Sequence, residues 1–236
     1  MATADAIAVV PTGCTEQQGP HLTVDFDTWF AETLMVEAAE RVADELRATV
    51  LPTLPFGPTP EHRAFGAGFI DIPVAIFDQV IRSILDSLAD QGFARILLWR
   101  GCGGHDLQAV AHQFNGAHAE ACTFLPAHPF HDIWCRVADA TTPGGHADSF
   151  TTSIGMYHRP ERLRPDRVPS EASAIPDWGD PDLDLARYST TGVIGSAAHA
   201  SAALGAQLWQ ECVEAAAELL RRIDHEPDTV GIEPTM

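Results

Sequence analysis

The apolar residues of the chain fall into short continuous runs that alternate with longer stretches in which they recur every three or four positions. The short runs predict buried strands and the periodic stretches predict amphipathic helices. The predicted strands are 6–13, 49–57, 94–99 and 122–126, and the predicted helices are 28–48, 72–93, 107–121 and 206–223. Because strands and helices alternate, the strands should pair in parallel. The pattern predicts an α/β fold, a three-layer α/β/α sandwich with a mainly parallel sheet.

Two polar loops follow strands of this predicted sheet. Residues 13–27 come after the first strand and residues 100–106 come after the third. Ligands of open α/β sheets bind beyond the carboxyl ends of the strands, so both loops should lie at the functional edge. Residues 126–191 are rich in Pro, His, Asp and Trp and show little periodicity apart from SIGMYHRPERL at 153–163, and we expect them to cover that edge. The chain, 1–236, is interpreted as a single domain that ends in a loose acidic tail at 225–236.

The charge of the chain narrows its range of partners. Its 236 residues carry a net charge of -19, which repels phosphate backbones and anionic lipid surfaces, so nucleic-acid and membrane partners are not expected. There is no lysine, which excludes Schiff-base and P-loop chemistry. The five cysteines lack paired spacing and the first residues lack the features of a signal peptide, so we expect a cytoplasmic protein with reduced thiols. These exclusions favour a small-molecule substrate.

The loop 11–27, PTGCTEQQGPHLTVDFD, carries two candidate metal ligands, Glu16 and Asp27. Carboxylates are hard anionic ligands, and two of them at one sheet edge could hold a divalent cation. A solvated acidic loop, with Asp27 capping the following helix, is the simpler alternative. Two carboxylates about 4 Å apart repel by roughly 4 kcal/mol at an effective dielectric of 20. Without a cation, one of them must therefore bind a proton or they must move apart.

Five segments carry further motifs and span most of the chain. They are GCTEQQGPHLTVDFD, GPTPEHRAFGAGFIDI, GFARILLWRGCGGHD, GGHADSFTTSIGM and GVIGSAAHASAALGAQL. In this order they resemble motifs of the creatininase (creatinine amidohydrolase) family of metal-dependent amidohydrolases. The resemblance implies a creatininase-like α/β/α fold, hydrolysis of an amide that is often cyclic, and a homo-oligomer, commonly a hexamer.

In that family two divalent ions share a bridging carboxylate, and the resemblance implies which residues would hold them here. The implied ligands of the first ion are Glu16, the bridging Asp27 and Cys102, which stands where the family has His. For the second ion, Gln18 replaces a family His and Ala203 replaces a family Glu. We therefore expect the second site to be lost. The protein should bind one divalent metal, with zinc preferred because of the thiolate, or no metal at all.

The resemblance also implies the catalytic groups. His146 is retained at the position of the family His that donates a proton or contacts the substrate. Glu16 and Asp27 would act with it, either by holding a metal that activates water or, without metal, as an acid–base pair. The candidates for substrate contact are Gln18, His105, Thr151, Trp134 and Trp178.

Several residues near these motifs also have a purely structural interpretation. Glu61 and His62 match a Glu-His pair of the family, and they would either face the pocket across a subunit contact or form a solvated turn. Cys14 is interpreted as a small buried hydrophobic residue. For Trp134 and Trp178, packing is a more common role than covering a ligand.

Three functions remain open from the sequence. The first is hydrolysis of a small amide, cyclic or not, by an amidohydrolase that acts on non-peptide C–N bonds. The second is non-hydrolytic acid–base chemistry on the same fold, such as cyclisation, dehydration or isomerisation in small-molecule biosynthesis. The third is a catalytically inactive binding protein. Retention of Glu16, Asp27 and His146 favours the first two.

Overall fold

The computed structural model describes residues 5–138 and 144–233. In these ranges the strands are β1 (Ala6–Thr12), β2 (Arg47–Val50), β3 (Arg95–Arg100) and β4 (Cys122–Phe124). The α-helices are α1 (Phe26–Arg41), α2 (Val74–Asp90), α3 (Gln108–Ala117), α4 (Phe130–Val137), α5 (Ser149–His158) and α6 (Ala202–His225). The strands form one sheet in the order β2-β1-β3-β4, and every neighbouring pair is parallel. No helix in the described ranges is both long and apolar enough to cross a bilayer.

Side chains of the central strands alternate between the two faces of the sheet, as the pleat requires. On one face Ile7, Val9 and Leu97 pack in a core with apolar residues of α1 and α6. On the other face Ala8 and Val10 pack in a second core with α2 and α3. Helices thus cover both faces, and the predicted three-layer α/β/α sandwich with a parallel sheet is confirmed.

The boundaries of α1 and β2 differ from the prediction. The helix predicted at 28–48 occupies Phe26–Arg41, and the strand predicted at 49–57 occupies Arg47–Val50. The helix ends early because the chain must turn back to place β2 beside β1. The strand ends early because Pro52 follows it, and proline has no N–H to donate to a ladder.

The region 126–191 is more regular than predicted, because it contains both α4 and α5. Helices of eight to ten residues give only a weak periodic signal, which explains the difference. Residues 139–143 of this region lie outside the described ranges.

The loose tail predicted at 225–236 is wrong for residues 226–233. The N–H of Leu125 donates to the carbonyl of Gly231 at 3.1 Å, and the N–H of Glu233 donates to the carbonyl of Leu125 at 2.8 Å. Ile232 packs against the core beneath α2 and α3. The segment therefore follows the chain beyond β4 at the border of the sheet.

Candidate metal centre and active site

The ends of β1 and β3 bring the two polar loops together. These strands are neighbours in the sheet, and Thr12 pairs with Arg100 at their carboxyl ends. Cys14 and Cys102 each follow two residues later, so they leave adjacent strands at the same edge. Gly101 permits this approach, since a Cβ there would lie 2.7 Å from the Cβ of Ala31, inside contact distance.

The structure places four potential ligand atoms at this edge, all within 4.8 Å of one another. They belong to Cys14, Glu16, Asp27 and Cys102. Three of these residues are the metal ligands that the resemblance implies. Cys14 was interpreted as a small buried residue, and it is fully buried, but its side chain also makes a polar contact. Its thiol donates a hydrogen bond to Asp27 Oδ2 at 3.0 Å. The side chain of Cys14 thus belongs to the polar cluster.

Glu16 lies at the centre of the cluster and is only 3% exposed. Its Oε2 accepts a hydrogen bond from the Cys102 thiol at 3.4 Å and lies 3.5 Å from His62 Nε2. Its Oε1 lies 3.4 Å from His146 Nδ1. The carboxylate therefore faces thiols on one side and imidazoles on the other. Glu16, His62 and His146 form a second set of potential ligand atoms, also within 4.8 Å of one another.

Gln18 spans the two carboxylates of the cluster. Its Nε2 donates to Glu16 Oε1 at 3.0 Å and to Asp27 Oδ2 at 3.2 Å. The amide N–H groups thereby supply the partial positive charge that neighbouring carboxylates need. Ala203, the other position with a changed family ligand, is exposed at the second residue of α6. Its methyl group offers no donor.

His146 is held by backbone contacts on both sides. Its N–H and carbonyl pair with the carbonyl and N–H of Ile194 at 3.1 and 2.8 Å. Its Nε2 lies 2.6 Å from the carbonyl of Gln17. A carbonyl oxygen only accepts, so Nε2 carries the proton and a neutral ring presents the lone pair of Nδ1 to Glu16. The next residue, Ala147, has φ 51°, a left-handed conformation that turns the chain into α5.

His62 lies at the site, whereas the sequence offered two alternatives for it, a position facing the pocket across a subunit contact and a solvated turn. It lies on a 3-10 helix, Pro60–Phe65, and is 1% exposed, so the solvated turn is wrong. Its ring centroid is 4.8 Å from that of His146. Glu61 Oε1 lies 3.7 Å from His62 Nε2, and the Glu61 side chain is 13% exposed. Both residues reach the cluster within one chain.

The other predicted substrate contacts lie apart from the open side of the cluster. His105 is fully buried behind Cys102, with its ring centroid 4.8 Å from that of Phe77. The hydroxyl of Thr151 donates to the carbonyl of Asp148 at 3.3 Å in the first turn of α5. Trp134 packs at the margin of the core, with its ring 6.5 Å from that of Phe150.

Trp178 is 39% exposed. Among the described residues, no recorded contact joins Trp134 or Trp178 to the cluster. The two tryptophans thus do not form the lid that the sequence suggested as one alternative.

Burial makes negative charge costly in the cluster. Burial, followed by the charge of Cys102, raises the pKa of Glu16 well above its usual range, and the same two causes raise the pKa of Asp27 to about 7. The interaction with Cys14 lowers the pKa of Cys102, whereas burial raises the pKa of Cys14. Among the described residues, no arginine forms an ion pair with Glu16 or Asp27. A bound cation would compensate the charge that the protein leaves unpaired.

The donor set fits a zinc ion. Thiolates bind zinc readily and suit manganese or magnesium poorly, and two carboxylates complete a tetrahedral set. The four ligand atoms of Cys14, Glu16, Asp27 and Cys102 are close enough to surround one ion after small side-chain movements. The residues present therefore fit a metal held by the three ligands that the resemblance implies together with Cys14.

Comparisons with known proteins show the family of the chain. The sequence model of the family described as "Creatininase: Creatinine amidohydrolase" matches residues 1–220. The mycofactocin precursor peptide peptidase of Mycolicibacterium smegmatis is 29% identical over 235 residues, covering 96% of this chain and 88% of the relative. The creatinine amidohydrolase of Pseudomonas putida is 25% identical over 246 residues, covering 94% and 91%.

Solved structures share the fold. A structure described as "Creatininase Mn" has a TM-score of 0.80 at 21% identity and covers 94% of this chain and 92% of its own. A mutant creatininase described as "Zn-Zn type" has a TM-score of 0.79 at 21% identity, with the same coverage.

Proposed function

The chain belongs to the creatininase family, and we propose that it hydrolyses an amide C–N bond of a small molecule or short peptide at a zinc-dependent site. The observation that carries the proposal is the convergence of Cys14, Glu16, Asp27 and Cys102 within 4.8 Å, at the sheet edge where α/β proteins bind ligands. Members of the family are amidohydrolases, and this site retains the carboxylates and an imidazole that such chemistry uses.

The side chains of the cluster divide the work. Cys14, Cys102 and Asp27 would hold a divalent ion, which would supply Lewis acidity and lower the pKa of a nearby water. Glu16 connects this cluster to the imidazoles of His62 and His146. His146, whose side chain is 11% exposed, supplies an imidazole that can bind, orient or exchange a proton with the amide. Its backbone pairing with Ile194 fixes that position.

The charge of the site limits the substrate. Glu16, Asp27 and Glu61 lie close together, and no arginine pairs with either Glu16 or Asp27 among the described residues. The net charge of -19 adds a repulsive field for anions at longer range. We therefore propose a neutral or cationic amide. The similarity to a precursor peptide peptidase and to creatinine amidohydrolase supports testing both short peptides and cyclic amides.

The test measures metal content and hydrolysis on the same preparations. Protein purified without chelator is analysed for zinc, and amine release is followed on neutral, cationic and anionic versions of a cyclic amide and a short peptide. Asp27→Asn should lose bound zinc and lower turnover by at least about 100-fold, since it removes a charged ligand. Asp166→Asn, at an exposed residue, is the control.

Two outcomes would contradict the proposal. Turnover that persists unchanged after chelation would exclude the metal from the reaction. Zinc-loaded protein that hydrolyses none of these amides would instead favour non-hydrolytic chemistry on the same side chains.

A further inference from the structure

We propose that Glu16, His62 and His146 form a second metal position, which shares Glu16 with the thiolate cluster. No motif of the sequence assigns His62 to a metal, and His146 was expected to carry a proton. The inference rests on the contacts among these three residues. The inference rests on the proposed function for the role of the ion in hydrolysis. Binding of the ion to these three residues does not depend on that function.

The spacing of the three donors suits a tetrahedral ion. His62 Nε2 lies 3.5 Å from Glu16 Oε2, and His146 Nδ1 lies 3.4 Å from Glu16 Oε1. These separations exceed the usual 2.7–3.2 Å of a hydrogen bond. Two ligands bound at about 2.1 Å to one tetrahedral zinc ion are roughly 3.4 Å apart. The observed distances therefore match ligands around an ion better than direct hydrogen bonds.

The protonation of His146 supports the same assignment. Its Nε2 donates to the carbonyl of Gln17, so the neutral ring directs an unshared electron pair from Nδ1 toward Glu16. A metal-bound imidazole typically has this arrangement, with the second nitrogen donating to a carbonyl that fixes the ring. Glu16 is also an acceptor when ionised. A lone pair and a carboxylate that face each other require a proton or a cation between them.

His62 completes the set from a separate part of the chain. The 3-10 helix Pro60–Phe65 carries it, and its ring is 1% exposed. The His62 and His146 ring centroids are 4.8 Å apart. Two buried imidazoles thus converge on one carboxylate with their nitrogens within 4.8 Å of it and of each other. Such a set of two His and one Glu is chemically suited to zinc and cobalt.

The two metal positions should differ in reactivity. The thiolate cluster offers four protein ligands, which fills a tetrahedral shell and is typical of structural zinc. The set of Glu16, His62 and His146 offers three ligands and leaves a coordination position for water or substrate, as in catalytic zinc sites. Glu16, which belongs to both sets, connects the two positions.

Cobalt(II) can distinguish the two positions without an activity assay. Metal-free full-length protein is titrated with cobalt(II) chloride while the absorption spectrum and the bound metal are recorded. One equivalent should give thiolate-to-cobalt charge-transfer absorption, and a second should give only ligand-field bands, because its donors are nitrogen and oxygen. The wild type should therefore bind two equivalents.

Variants assign each equivalent to its ligands. His62→Gln and His146→Gln should each keep the charge-transfer band and bind the second equivalent at least about 100-fold more weakly, since loss of a mere supporting contact costs 10–100-fold. Cys102→Ser should lose the charge-transfer band and retain the ligand-field bands of the second equivalent. His112→Gln, at an exposed residue of α3, should retain both. Circular dichroism on each variant confirms folding, and the two histidine variants provide independent tests if one fails to fold.

The proposal is overturned if the wild type binds a single equivalent, or if the second equivalent binds with unchanged affinity in folded His62→Gln or His146→Gln. Two equivalents assigned as described, in a protein that hydrolyses no amide, would support this site and contradict the proposed function. The two conclusions can therefore fail separately.

Discussion

The contact between α5 and α6 allows a quantitative prediction for Gly205→Ala. An ideal Cβ at Gly205 would lie 2.5 Å from the carbonyl carbon of Ser153 and 2.9 Å from the Cβ of Tyr157. Carbon atoms in favourable contact are about 3.5–4.0 Å apart, so the helices must separate by about 1 Å. The obstructing atoms include backbone and cannot rotate away. Because α5 begins directly after His146–Asp148, the shift also disturbs the entry to the site.

The magnitude follows from two opposing effects. Overpacking of a well-packed contact costs about 1–3 kcal/mol, and an obstructing backbone places this case at the upper end. Alanine in a helix recovers about 0.8–1.0 kcal/mol relative to glycine. We expect a net loss of about 2 kcal/mol in the free energy of unfolding. For a chain of this length that lowers Tm by roughly 4–8 °C.

The assay is thermal and urea unfolding followed by circular dichroism, with Gly116→Ala as the matched control. Gly116 lies near the end of α3, and a Cβ there would have no heavy atom within 4 Å. This variant should be unchanged or more stable by up to about 1 kcal/mol. If Gly205→Ala were as stable as Gly116→Ala, the close approach of α5 and α6 would be refuted.

Three further predictions concern the site and its surroundings. Glu16→Gln should reduce binding at both metal positions and lower turnover by at least about 100-fold, because Glu16 is shared; retention of two metal equivalents would contradict this. Cys14→Ser should weaken zinc binding, measured by competition with a chelator, whereas Cys135→Ser on α4 should not; equal affinities would exclude Cys14 as a ligand. Burial, followed by the charge of His146, lowers the pKa of His21 to about 4 in the folded protein. In the unfolded chain the pKa is near 6.5, so as the pH falls from 6.5 toward 4 the unfolded state binds a proton that the folded state does not, and stability is lost. His21→Gln should therefore lose less stability than the wild type between pH 6.5 and 4. The difference is a part of the roughly 1.4 kcal/mol that corresponds to each unit of the pKa shift. If the urea midpoints of the two proteins fell in parallel with pH, His21 would contribute nothing to the acid sensitivity.

The sequence was sufficient for the layers of the fold and for part of the site. Alternating strands and helices predict the parallel sheet, and the sheet in turn predicts that the loops after β1 and β3 meet. That reasoning brings Glu16, Asp27 and Cys102 together, as the structure does. The boundaries of α1 and β2 were less predictable, because they depend on where β2 must pair and not on local preference.

The sequence did not predict that Cys14 and His62 belong to the two sets of potential ligands, and the physical reasons differ. Cys14 follows a buried strand, where a cysteine commonly packs as a small apolar residue. A detectable signal existed, because Cys14 and Cys102 each stand two residues beyond the last register pair of adjacent strands. His62 matches a Glu-His pair of the family, but its exact position could not be predicted, since the 3-10 helix that carries it has no periodicity and its position depends on tertiary packing. The ordered residues 226–233 are a similar case, because their pairing partner, Leu125, is about one hundred residues away.

Gln18 explains how the metal ligands can change without leaving the carboxylates unpaired. Its Nε2 donates to Glu16 and Asp27 at 3.0 and 3.2 Å, and its Oε1 is buried without a hydrogen-bond partner among the described residues. The amide therefore satisfies both carboxylates when no cation is bound. Rotation of the amide by about 180° would direct Oε1 to the same place and provide a neutral oxygen ligand when an ion enters.

The presence of Gln18 in place of a family ligand affects where a second ion would bind. The resemblance implies a family ion between the residues now occupied by Gln18 and Ala203, where an amide is a weak ligand and the alanine contributes none. The imidazoles of His62 and His146 instead converge on the opposite oxygen atoms of Glu16. Nitrogen donors bind zinc more strongly than a neutral amide oxygen does, so the free energy of binding favours the imidazole side. In the proposed arrangement, loss of the two family ligands thus displaces the second ion toward His146 and does not by itself remove it.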